Sequence, residues 1–572
     1  MTPPSPRALR SPAPRPPPDH PRSTERTATV PSTTPTDVAT DVLVVGAGLG
    51  GVAAALAAAD RGARVVLTEE FPWIGGQLTS QAVPPDEHPW VEDFGVTARY
   101  RALREGIRDV YRRRYPLTEQ ARARTDLNPG AGWVSKLCHE PRVAVGVLEE
   151  MLAPWRAAGR ITLLEQVRPV AARTEGDVVR SVTLESVVDG SRTTVTAPYV
   201  LDATETGELL PLTGTEYVTG FESAATTGEP SAPDVAQPDN VQALSVCFVL
   251  EHAEGDHTID RPERYDFWRS FTPGPWNGKP MLSWHAPNPR TLEMDVRSFT
   301  PNPGDDALAV EADQSRNPGD GNLWTFRRIL ARDLYAPGTF PSDLCLVNWP
   351  SIDYFLEHVL DVPREVELER IDDAKQLSLS MLYWMQTEAP RADGGTGFPG
   401  LRLRPDVMGT ADGLAQAPYH RESRRIRALT TVTENDVSYA VRGDRGATRY
   451  EDSVGIGMYR IDLHPSTGGD TYIDVPSTPF EIPLGALIPE RTTNLLAANK
   501  NIGTTHITNG CYRLHPVEWN IGEAAGHLAA YCLERGAQPR DVRAKPELLA
   551  ELQEELTAAG VELHWPAGAH PY

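Results

Sequence analysis

The sequence contains few cysteines and no excess of basic residues, and both scarcities exclude classes of protein. Only five of its 572 residues are cysteine, and no two of them form a C-x-x-C pair. An odd number of scattered cysteines argues against a disulfide framework or a zinc site and favours reduced thiols in a cytoplasmic protein. The formal net charge is −23, whereas a nucleic-acid-binding protein needs a basic face. No nucleic-acid partner is therefore expected.

Long apolar runs and a secretory signal are also lacking. Residues 42–59 carry no charge and have about the length of a membrane span, but they are rich in glycine and alanine and have no basic flank. We therefore expect no contact with a membrane. The first 38 residues are rich in Pro, Ser, Thr and Arg and lack the apolar core of a secretory signal. They cannot bury enough surface to fold, so they are predicted to be a disordered tail.

The most informative stretch of the sequence is residues 41–70. It opens with the aliphatic run 42–45, which predicts a strand buried on both faces. Three glycines then follow with G-x-G-x-x-G spacing and lead into an alanine-rich helix. A second aliphatic run, 64–67, ends about 20 residues after the glycines at an acidic residue. Strand, glycine turn, helix, strand and acid in this order predict a dinucleotide-binding unit.

Each residue of this motif has a physical role. Gly46 allows the tight turn, Gly48 allows the backbone to approach a pyrophosphate, and Gly51 allows the helix to pack on the strand. The positive end of the helix faces the phosphates. Glu69 can accept hydrogen bonds from ribose hydroxyls. The motif therefore predicts which side chains and amides would hold a dinucleotide.

A second G-x-G-x-x-G sequence occupies residues 395–400, and it is interpreted differently. No strand precedes it, and a proline at position 399 interrupts the following turn. This copy is predicted to be a loop, which leaves one dinucleotide site and no second domain for a nicotinamide cofactor.

Two segments beyond the first motif carry a family resemblance. Gly75 and Gly76, followed by Thr79, match a second glycine motif, and Asp202-Ala203-Thr204 resembles an Asp-Ala-Thr-Gly turn. In these features the sequence resembles the FAD-dependent oxidoreductases with a glutathione-reductase-type flavin fold, a group related to the fumarate-reductase-like flavoenzymes. The sequence departs from the pattern at Glu205, which stands where glycine is usual.

The end of the chain carries the second strong signal. Residues 494–498 predict a buried strand, residues 499–511 a polar loop, and residues 520–526 the start of a helix in which Asn520 and Glu523 have capping-box spacing. This order resembles the C-terminal FAD motif of the same family. The resemblance implies that the N-terminus of this helix faces the flavin, where reduction leaves negative charge.

The middle of the chain, residues 220–479, has a different composition and predicts a substrate-covering domain. It is rich in proline, contains six tryptophans that are mostly expected in the core, and includes one long predicted helix at 364–387. Two of its segments, 419–425 and 453–464, resemble the family's Arg-Glu-x-Arg-Arg segment and its glycine, tyrosine, aspartate and histidine segment. Arginine clusters also form structural ion-pair networks, so these segments alone assign no chemistry.

The predicted fold class is α/β, with a Rossmann-type FAD-binding domain built on a parallel sheet with helices and a β-meander, plus a mixed α+β cap domain. Five regions are expected: a tail (1–38), the first part of the FAD-binding domain (39–219, with a helical insertion at about 85–140), the cap (220–479), the second part of the FAD-binding domain (480–540), and a C-terminal helix and tail (541–572).

The motifs and the resemblance together imply FAD as cofactor. The residues expected to contact it are Gly46, Gly48, Gly50, Gly51, Glu69, Glu70, Gly76, Gln77, Thr79, Val167, Ala203, Thr204, Asn501, Asn520, Ile521 and Gly522. Covalent attachment through Cys138, His139 or Cys511 is conceivable, but nothing in the sequence selects it. No metal is expected.

The expected reaction is hydride transfer between a small organic substrate and the flavin, because redox chemistry belongs to the cofactor and the protein positions the substrate. Oxidation needs a base for the adjoining proton. The leading candidates are His506 and His515. Arg513 could hold a carboxylate or an oxyanion, and Tyr459 and His464 are further candidates. Each of these histidines could equally be a hydrogen-bonded structural group.

Two other functions stay open at this point. The FAD could have a structural or non-redox role, as in an isomerase or an elimination enzyme, or the protein could be a binding protein that has lost its cofactor. A flavin that substrate never reduces would favour the first alternative, and a colourless protein the second. The substrate, the electron acceptor (oxygen is one candidate) and the oligomeric state do not follow from the sequence.

Overall fold

A computed structural model describes residues 36–311 and 321–571 of the chain. Most of the predicted disordered tail, 1–38, lies outside these residues. Its last three residues do not, and here the prediction was wrong: residues 36–38 belong to a strand that begins at Thr36. This strand pairs in parallel with a strand at 192–196. The pairing orders residues 36–38 by backbone hydrogen bonds, which the composition of the tail does not reveal.

The strands of the described residues are mostly short. In chain order they are β1 (Thr36–Ala39), β2 (Val42–Val45), β3 (Val65–Glu69), β4 (Ile161–Glu165), β5 (Val167–Glu175), β6 (Val178–Ser186), β7 (Arg192–Thr196), β8 (Tyr199–Asp202), β9 (Tyr217–Val218), β10 (Leu244–Ser245), β11 (Phe248–His252), β12 (His285–Pro287), β13 (Met294–Val296), β14 (Arg328–Leu330), β15 (Leu344–Val347), β16 (Asp353–Tyr354), β17 (Leu401–Leu403), β18 (Tyr419–His420), β19 (Arg425–Ile426), β20 (Ser453–Gly457), β21 (Ile461–Leu463), β22 (Ile473–Val475), β23 (Phe480–Pro483) and β24 (Leu495–Ala497).

The α-helices range from single turns to 24 residues. They are α1 (Leu49–Asp60), α2 (Ala98–Arg114), α3 (Glu119–Arg122), α4 (Pro141–Ala157), α5 (Leu209–Thr213), α6 (Ala224–Thr227), α7 (Tyr265–Ser270), α8 (Leu323–Phe326), α9 (Arg364–Thr387), α10 (Pro405–Met408), α11 (Glu434–Val437), α12 (Tyr439–Arg442), α13 (His506–Tyr512), α14 (His515–Arg535), α15 (Pro539–Ala544) and α16 (Pro546–Ala558). None of the helices in 36–311 and 321–571 is long and apolar enough to cross a membrane.

A five-stranded parallel sheet in the order β24-β8-β2-β3-β4 forms the centre of the molecule. Strand β2 is buried along its whole length, as expected for a strand covered by helices on both faces. The sheet takes β2, β3 and β4 from the first part of the chain and β24 from the last part. The predicted α/β class with a Rossmann-type parallel sheet is confirmed.

A second sheet, in the order β1-β7-β6-β5, is the predicted meander. Strands β5, β6 and β7 pair antiparallel in sequence. The sequence predicts one strand over 193–201, and this prediction was wrong, because the chain leaves the meander after β7 and enters the parallel sheet as β8. The break falls at Ala197 and Pro198, where proline lacks the N–H that a continuous ladder requires.

Helices α1 and α14 pack closely against each other above the parallel sheet. A Cβ added to Gly522 would overlap the carbonyl of Gly50, and one added to Gly526 would overlap the carbonyl of Ala54. The two backbones therefore approach through glycine. This contact joins the first glycine motif to the C-terminal motif.

The C-terminal motif differs from its prediction in two places. Residues 506–511, predicted to be part of a loop, belong to α13, which opens on a capping box between Thr505 and Thr508. Helix α14 begins at His515 rather than at Asn520, so the capping-box interpretation of Asn520 was wrong. The earlier start is compatible with proline in the first turn, where no N–H is needed.

A second apolar core lies around β11, β15 and α9. The predicted helix at 364–387 is confirmed as α9 with the same limits, and residues 395–400 are a loop as predicted. All six tryptophans of the middle region are buried: Trp268, Trp276, Trp284, Trp324, Trp349 and Trp384. The domain limits given above stay predictions.

Candidate nucleotide cleft and arginine cavity

A cleft opens at the carboxyl ends of β2, β3 and β8. This edge of a parallel sheet is where α/β proteins bind ligands. The first glycine motif lies on one side of the cleft, and the turn after β8 lies on another. Its lining includes Val45, Gly46, Gly48, Thr68, Glu69, Glu70, Gly76, Val167, Ala203, Thr204, Glu205, Arg364 and His420.

Two glycines bring the backbone to the floor of the cleft. Gly46 has φ +94°, a conformation that L-residues rarely adopt, and a Cβ there would overlap the carbonyl of Ala203. Gly48 precedes α1 and offers no side chain to cap the helix. Helix N-termini are suited to anionic ligands, although here the N–H of Gly50, in the first turn of α1, already donates to Glu518. The cleft therefore fits the pyrophosphate of a dinucleotide.

Glu69 lies at the end of β3 and turns its carboxylate back towards the glycine motif. The carboxylate accepts hydrogen bonds from the backbone N–H of Ala47 at 3.1 Å and of Phe71 at 3.0 Å. Burial, together with the charge of Glu205, raises the pKa of Glu69 to about 8. The side chain is thus fixed beside the cleft, in the position that the motif assigns to a ribose partner.

A buried charge cluster lies at the N-terminus of α1. Glu205, the residue that departs from the family pattern, forms an ion pair with Lys500, which is 1% exposed. Glu518 accepts a hydrogen bond from the N–H of Gly50 at 3.3 Å and another from Gln77. Burial, followed by the charge of Glu205, raises the pKa of Glu518 to about 7. Lys500 compensates the carboxylate that replaces glycine in this turn.

The predicted cofactor contacts divide into two groups, and all of these assignments stay predictions. The first group lines the cleft: Gly46, Gly48, Glu69, Glu70, Gly76, Val167, Ala203 and Thr204. The second group lies behind the cleft wall among the described residues: Gly50, Gly51, Gln77, Thr79, Asn501, Asn520, Ile521 and Gly522.

Residues of the second group hold the cleft wall together. The side-chain amide of Asn501 donates to the carbonyl of Asp202 at 3.0 Å, which ties the C-terminal loop to the end of β8. The amide of Asn520 donates to the carbonyl of Val454 at 3.3 Å. The hydroxyl of Thr79 donates to a backbone carbonyl of its own loop. These contacts position the backbone around the cleft.

A separate cavity of ≈ 130 Å³ lies between the two apolar cores. We call it the arginine cavity. Its walls combine aromatic and apolar side chains with several arginines and aspartates. It is lined by Asp86, Trp133, Val134, Pro287, Pro289, Arg290, Arg297, Leu323, Phe326, Arg327, Asn348, Trp349, Pro350, Arg421, Tyr459, Arg460, Asp462, His464, Tyr472 and Asp474.

The segment at β18 lies between the cleft and the arginine cavity. His420 lines the cleft, and the next residue, Arg421, lines the cavity. Tyr419, the first residue of this strand, is buried, and its hydroxyl accepts a hydrogen bond from Arg513 at 2.9 Å. The cleft and the cavity are therefore neighbours separated by one short strand.

One histidine of the arginine cavity, His464, is paired with a buried aspartate, Asp353, behind the lining. His464 Nδ1 lies 2.7 Å from Asp353 Oδ2, and His464 Nε2 lies 3.6 Å from Asp462 Oδ2. Burial would raise the pKa of Asp353, but the charges of Arg421 and His464 outweigh it and hold that pKa at about 2. An ionised aspartate on Nδ1 fixes the imidazole orientation and directs Nε2 towards Asp462.

Two of the predicted catalytic residues lie at this cavity. Tyr459 is part of its lining. Arg513 borders it, because its Nη2 donates to Asp462 Oδ2 at 3.1 Å. The carboxyl of Asp462 therefore contacts both a predicted catalytic arginine and His464.

His506 lies outside both the cleft and the cavity as the described residues define them. Its Nδ1 is 3.1 Å from Glu422 Oε1, and its ring stacks on Phe221 with a centroid distance of 4.1 Å. The residue is 2% exposed. Its role as a base stays a prediction, and its contacts are those of a buried ion-pair network.

His515 begins α14 and is fully buried. Its Nδ1 accepts a hydrogen bond from the backbone N–H of Asp86 at 3.0 Å, so its Nε2 donates to the carbonyl of Val83 at 3.2 Å. Burial lowers the pKa of His515 to about 3. Both ring nitrogens hold the backbone of residues 83–86, and the assignment of His515 as a base also stays a prediction.

The conceivable covalent anchors lie away from the cleft. Cys138, His139 and Cys511 are buried, and none of them lines the cleft or the arginine cavity in the described residues. Burial raises the pKa of Cys138 to about 12 and lowers that of His139 to about 4. The structure provides no support for a tether at these positions.

Several residues of the two sites were missed in the sequence. Lys500, Asp86, Arg327 and Asp353 come from segments far apart in the chain, and no local motif marks them. Asp86 follows two prolines, and Arg327 follows an aromatic residue in a segment of ordinary composition. Only the fold brings them together.

Comparisons with known proteins agree with the cleft. A family model described as FAD dependent oxidoreductase matches residues 41–556. No curated protein matches the chain.

Solved structures match over shorter regions. L-proline dehydrogenase from P. horikoshii is 14% identical, with 34% of this chain and 26% of that chain covered and a TM-score of 0.17. The myxobacterial halogenase CndH is 16% identical (38% and 44% covered, TM-score 0.21). The anhydrotetracycline hydroxylase OxyS from Streptomyces rimosus is 18% identical (41% and 41% covered, TM-score 0.21). The matched region spans less than half of each of these three chains.

Proposed function

The chain belongs to the FAD dependent oxidoreductase family, and we propose that it oxidises a small organic substrate by hydride transfer to FAD. The observation that supports the proposal most directly is the arrangement of two neighbouring sites. The glycine-floored cleft fits a dinucleotide, and the arginine cavity beside it holds an oriented Asp–His pair. A redox flavoenzyme requires both a cofactor site and an enclosed substrate site with a proton acceptor.

FAD is the cofactor, and the residues of the cleft suit it. The backbone at Gly46 and Gly48 and the N-terminus of α1 would hold its pyrophosphate, and Glu69 would accept hydrogen bonds from its ribose. When bound, FAD supplies the hydride acceptor. The protein supplies orientation, exclusion of water and a proton acceptor.

We assign the proton acceptor to His464. Asp353 orients the ring through Nδ1, which leaves Nε2 to take the proton of a substrate O–H or N–H. Asp462, at 3.6 Å from Nε2, then stabilises the imidazolium together with Asp353. Arg513 keeps Asp462 in place. Histidine serves as a general base near neutral pH.

The reaction class can be tested with the purified protein under anaerobic conditions. Its visible absorbance spectrum first establishes FAD content, and acid precipitation separates free from tethered flavin. Small alcohols, amines and hydroxy acids are then screened for loss of the visible flavin band. We expect at least one class to bleach the band, more slowly when the reacting C–H is deuterated. A flavin that no substrate bleaches, although dithionite does, would favour the non-redox alternative.

The role of His464 is tested with the substrate found in that screen. We expect His464→Gln to lower the rate of flavin reduction about 10²- to 10⁴-fold, the usual contribution of general base catalysis, with unchanged FAD content. His506→Gln is the competing variant. A large loss in His506→Gln with near-normal reduction in His464→Gln would transfer the role to His506.

A further inference from the structure

The arginine cavity carries more positive than negative charge. Five arginines and three aspartates line it, which leaves an excess of two positive charges when histidine is neutral. Two of the arginines, Arg290 and Arg460, form ion pairs with Asp474. Arg421 pairs with Asp353 at 3.0 Å. Each of these three guanidiniums therefore has a carboxylate within ion-pair distance, although Arg290 and Arg460 share one.

Arg327 is compensated much less. Its nearest carboxylate is Asp86, at 3.9 Å between Nη1 and Oδ1, which is beyond hydrogen-bond reach. Neither its Nε nor its Nη1 makes a hydrogen bond to any part of the chain that the structure describes. Buried guanidinium donors are normally paired, because leaving them unpaired costs free energy. A buried guanidinium on a cavity wall with two donors that no described residue satisfies indicates a missing hydrogen-bond partner.

Asp86 is not the hydrogen-bond partner of Arg327. Its Oδ1 makes no hydrogen bond to the described residues, and its backbone N–H is used by His515. Burial raises the pKa of the Asp86 carboxyl above its ordinary value of 3.8. Asp86 and Arg327 thus face the cavity separately, and the Nε of Arg421 is likewise without a partner among the described residues.

Apart from the charged groups, His464 and Asn348, the wall is apolar and aromatic. Trp349, Phe326, Leu323, Tyr472 and Val134 contribute to it. A cavity of about 150 Å³ with apolar walls accommodates benzene, so a cavity of ≈ 130 Å³ limits the apolar body of a ligand to about one ring. The cavity therefore combines apolar and aromatic walls with an excess of positive charge.

We propose that the arginine cavity binds an organic carboxylate, with the guanidinium of Arg327 as the main partner of the carboxylate and the aromatic wall around an apolar body of about one ring. A planar guanidinium matches a carboxylate with two parallel hydrogen bonds. The inference rests on the proposed function, since it names the substrate class of the same site.

Benzoate is a suitable probe and benzamide its neutral counterpart, because the two differ mainly in charge. Binding to the FAD-loaded, full-length protein is measured by titration calorimetry and by the fluorescence of its tryptophans, without turnover. Phenylacetate and hexanoate extend the panel. We expect a carboxylate of this panel to bind at least about tenfold more tightly than its neutral amide, as the loss of a charge-assisted pair implies.

The decisive variant is Arg327→Met, which keeps the apolar stem and removes the charge. We expect carboxylate affinity to fall at least about tenfold, while the amide binds as before, and Arg327→Lys to recover part of the loss. The matched control is Arg332→Met, which makes the same change in net charge. Arg332 is partly exposed and lies outside the cavity, so its loss should leave binding unchanged.

Three results would overturn the proposal: no carboxylate of the panel binds, carboxylate and amide bind equally, or Arg327→Met retains wild-type affinity. FAD content and circular dichroism of each variant show that it is folded. The flavin-bleaching screen is independent of this titration. Carboxylate binding through Arg327 in a protein whose flavin no compound bleaches would contradict the proposed reaction and leave the substrate class standing.

Discussion

At the scale of single residues, we expect Gly46 to determine whether the cleft can hold FAD. Its φ of +94° disfavours any L-residue, and a Cβ would overlap the carbonyl of Ala203 at the end of β8. We expect Gly46→Ala to be purified without FAD, as judged by the visible spectrum of protein whose far-ultraviolet circular dichroism is normal.

Gly62 offers a matched control for that substitution. Its φ is +89°, but a Cβ there would meet nothing within 4 Å. Gly62→Ala should therefore carry the backbone strain alone, about 1–2 kcal/mol, and retain FAD. Equal loss of FAD in both variants would mean that strain rather than the close contact at Ala203 is responsible.

The raised pKa of Glu518 predicts how the free energy of unfolding depends on pH. Burial raises its pKa to about 7, from 4.5 for an ordinary glutamate. Between these values the unfolded chain releases the proton and the folded protein keeps it, so this group lowers the free energy of unfolding as pH rises from about 4.5 to 7. In FAD-free protein, Glu518→Gln should gain stability relative to wild type across that window, by about 1–3 kcal/mol at its upper end.

Denaturant unfolding of both proteins at several pH values measures this difference. Below about pH 4.5 the wild-type group is protonated in both states, so the relative stability of the variant should be constant there. A difference that does not change between pH 4.5 and 7 would contradict the assigned protonation of Glu518.

At the scale of elements, the packing of α1 on α14 depends on glycine. Gly526 lies against the carbonyl of Ala54, where a Cβ would overlap. Gly526→Ala should force the helices apart and lower the free energy of unfolding by about 1–3 kcal/mol. Gly146, inside α4, has nothing within 4 Å of its added Cβ, so Gly146→Ala should stabilise by up to about 1 kcal/mol. Thermal unfolding of the two variants, with shifts of opposite sign, checks this prediction.

Elements whose limits are set by neighbouring residues could be predicted from the sequence, and elements whose limits depend on tertiary contacts could not. The aliphatic run of β2 and the length of α9 are written in consecutive residues, and both were predicted. The limits of α13 and α14 were not predicted. The polar, glycine-containing sequence favoured a loop, whereas the capping pair at Thr505 and the proline in the first turn of α14 favour helices. Strands β7 and β8 were merged, because their separation depends on which sheet each joins.

The residues of the cleft and of the arginine cavity also differ in how far the sequence predicts them. The glycines and Glu69 follow a motif whose spacing reflects the shape of the ligand, so the sequence identified the cleft. Arg327 and Asp353 belong to no motif. Arg327 lines the cavity, and Asp353 reaches it only through its contacts with Arg421 and His464, which lie more than 60 residues further along the chain. Side-chain networks of this kind depend on tertiary packing, which a single sequence does not display.

At the scale of the whole molecule, the cleft joins the two ends of the folded chain. Strands β2 and β3 come from the beginning of the described residues, and β24 and α14 come from near its end. FAD in the cleft would therefore stabilise contacts that close a very long loop, and it binds only the folded state. We expect removal of FAD to lower the Tm, and added FAD to raise it with the logarithm of its concentration.

The size of this shift follows from mass action: about 2.7 kcal/mol at a ligand concentration 100 times the Kd. Differential scanning calorimetry across a series of FAD concentrations measures it. Gly62→Ala should show the same dependence on FAD as wild type, from a lower starting Tm. The Tm of Gly46→Ala should not depend on FAD, because the added Cβ would overlap the carbonyl of Ala203 and close the cleft to the ligand. If Gly46→Ala were stabilised by FAD as wild type is, the ligand would have to bind elsewhere, and the cleft at the carboxyl ends of β2, β3 and β8 would not be the flavin site.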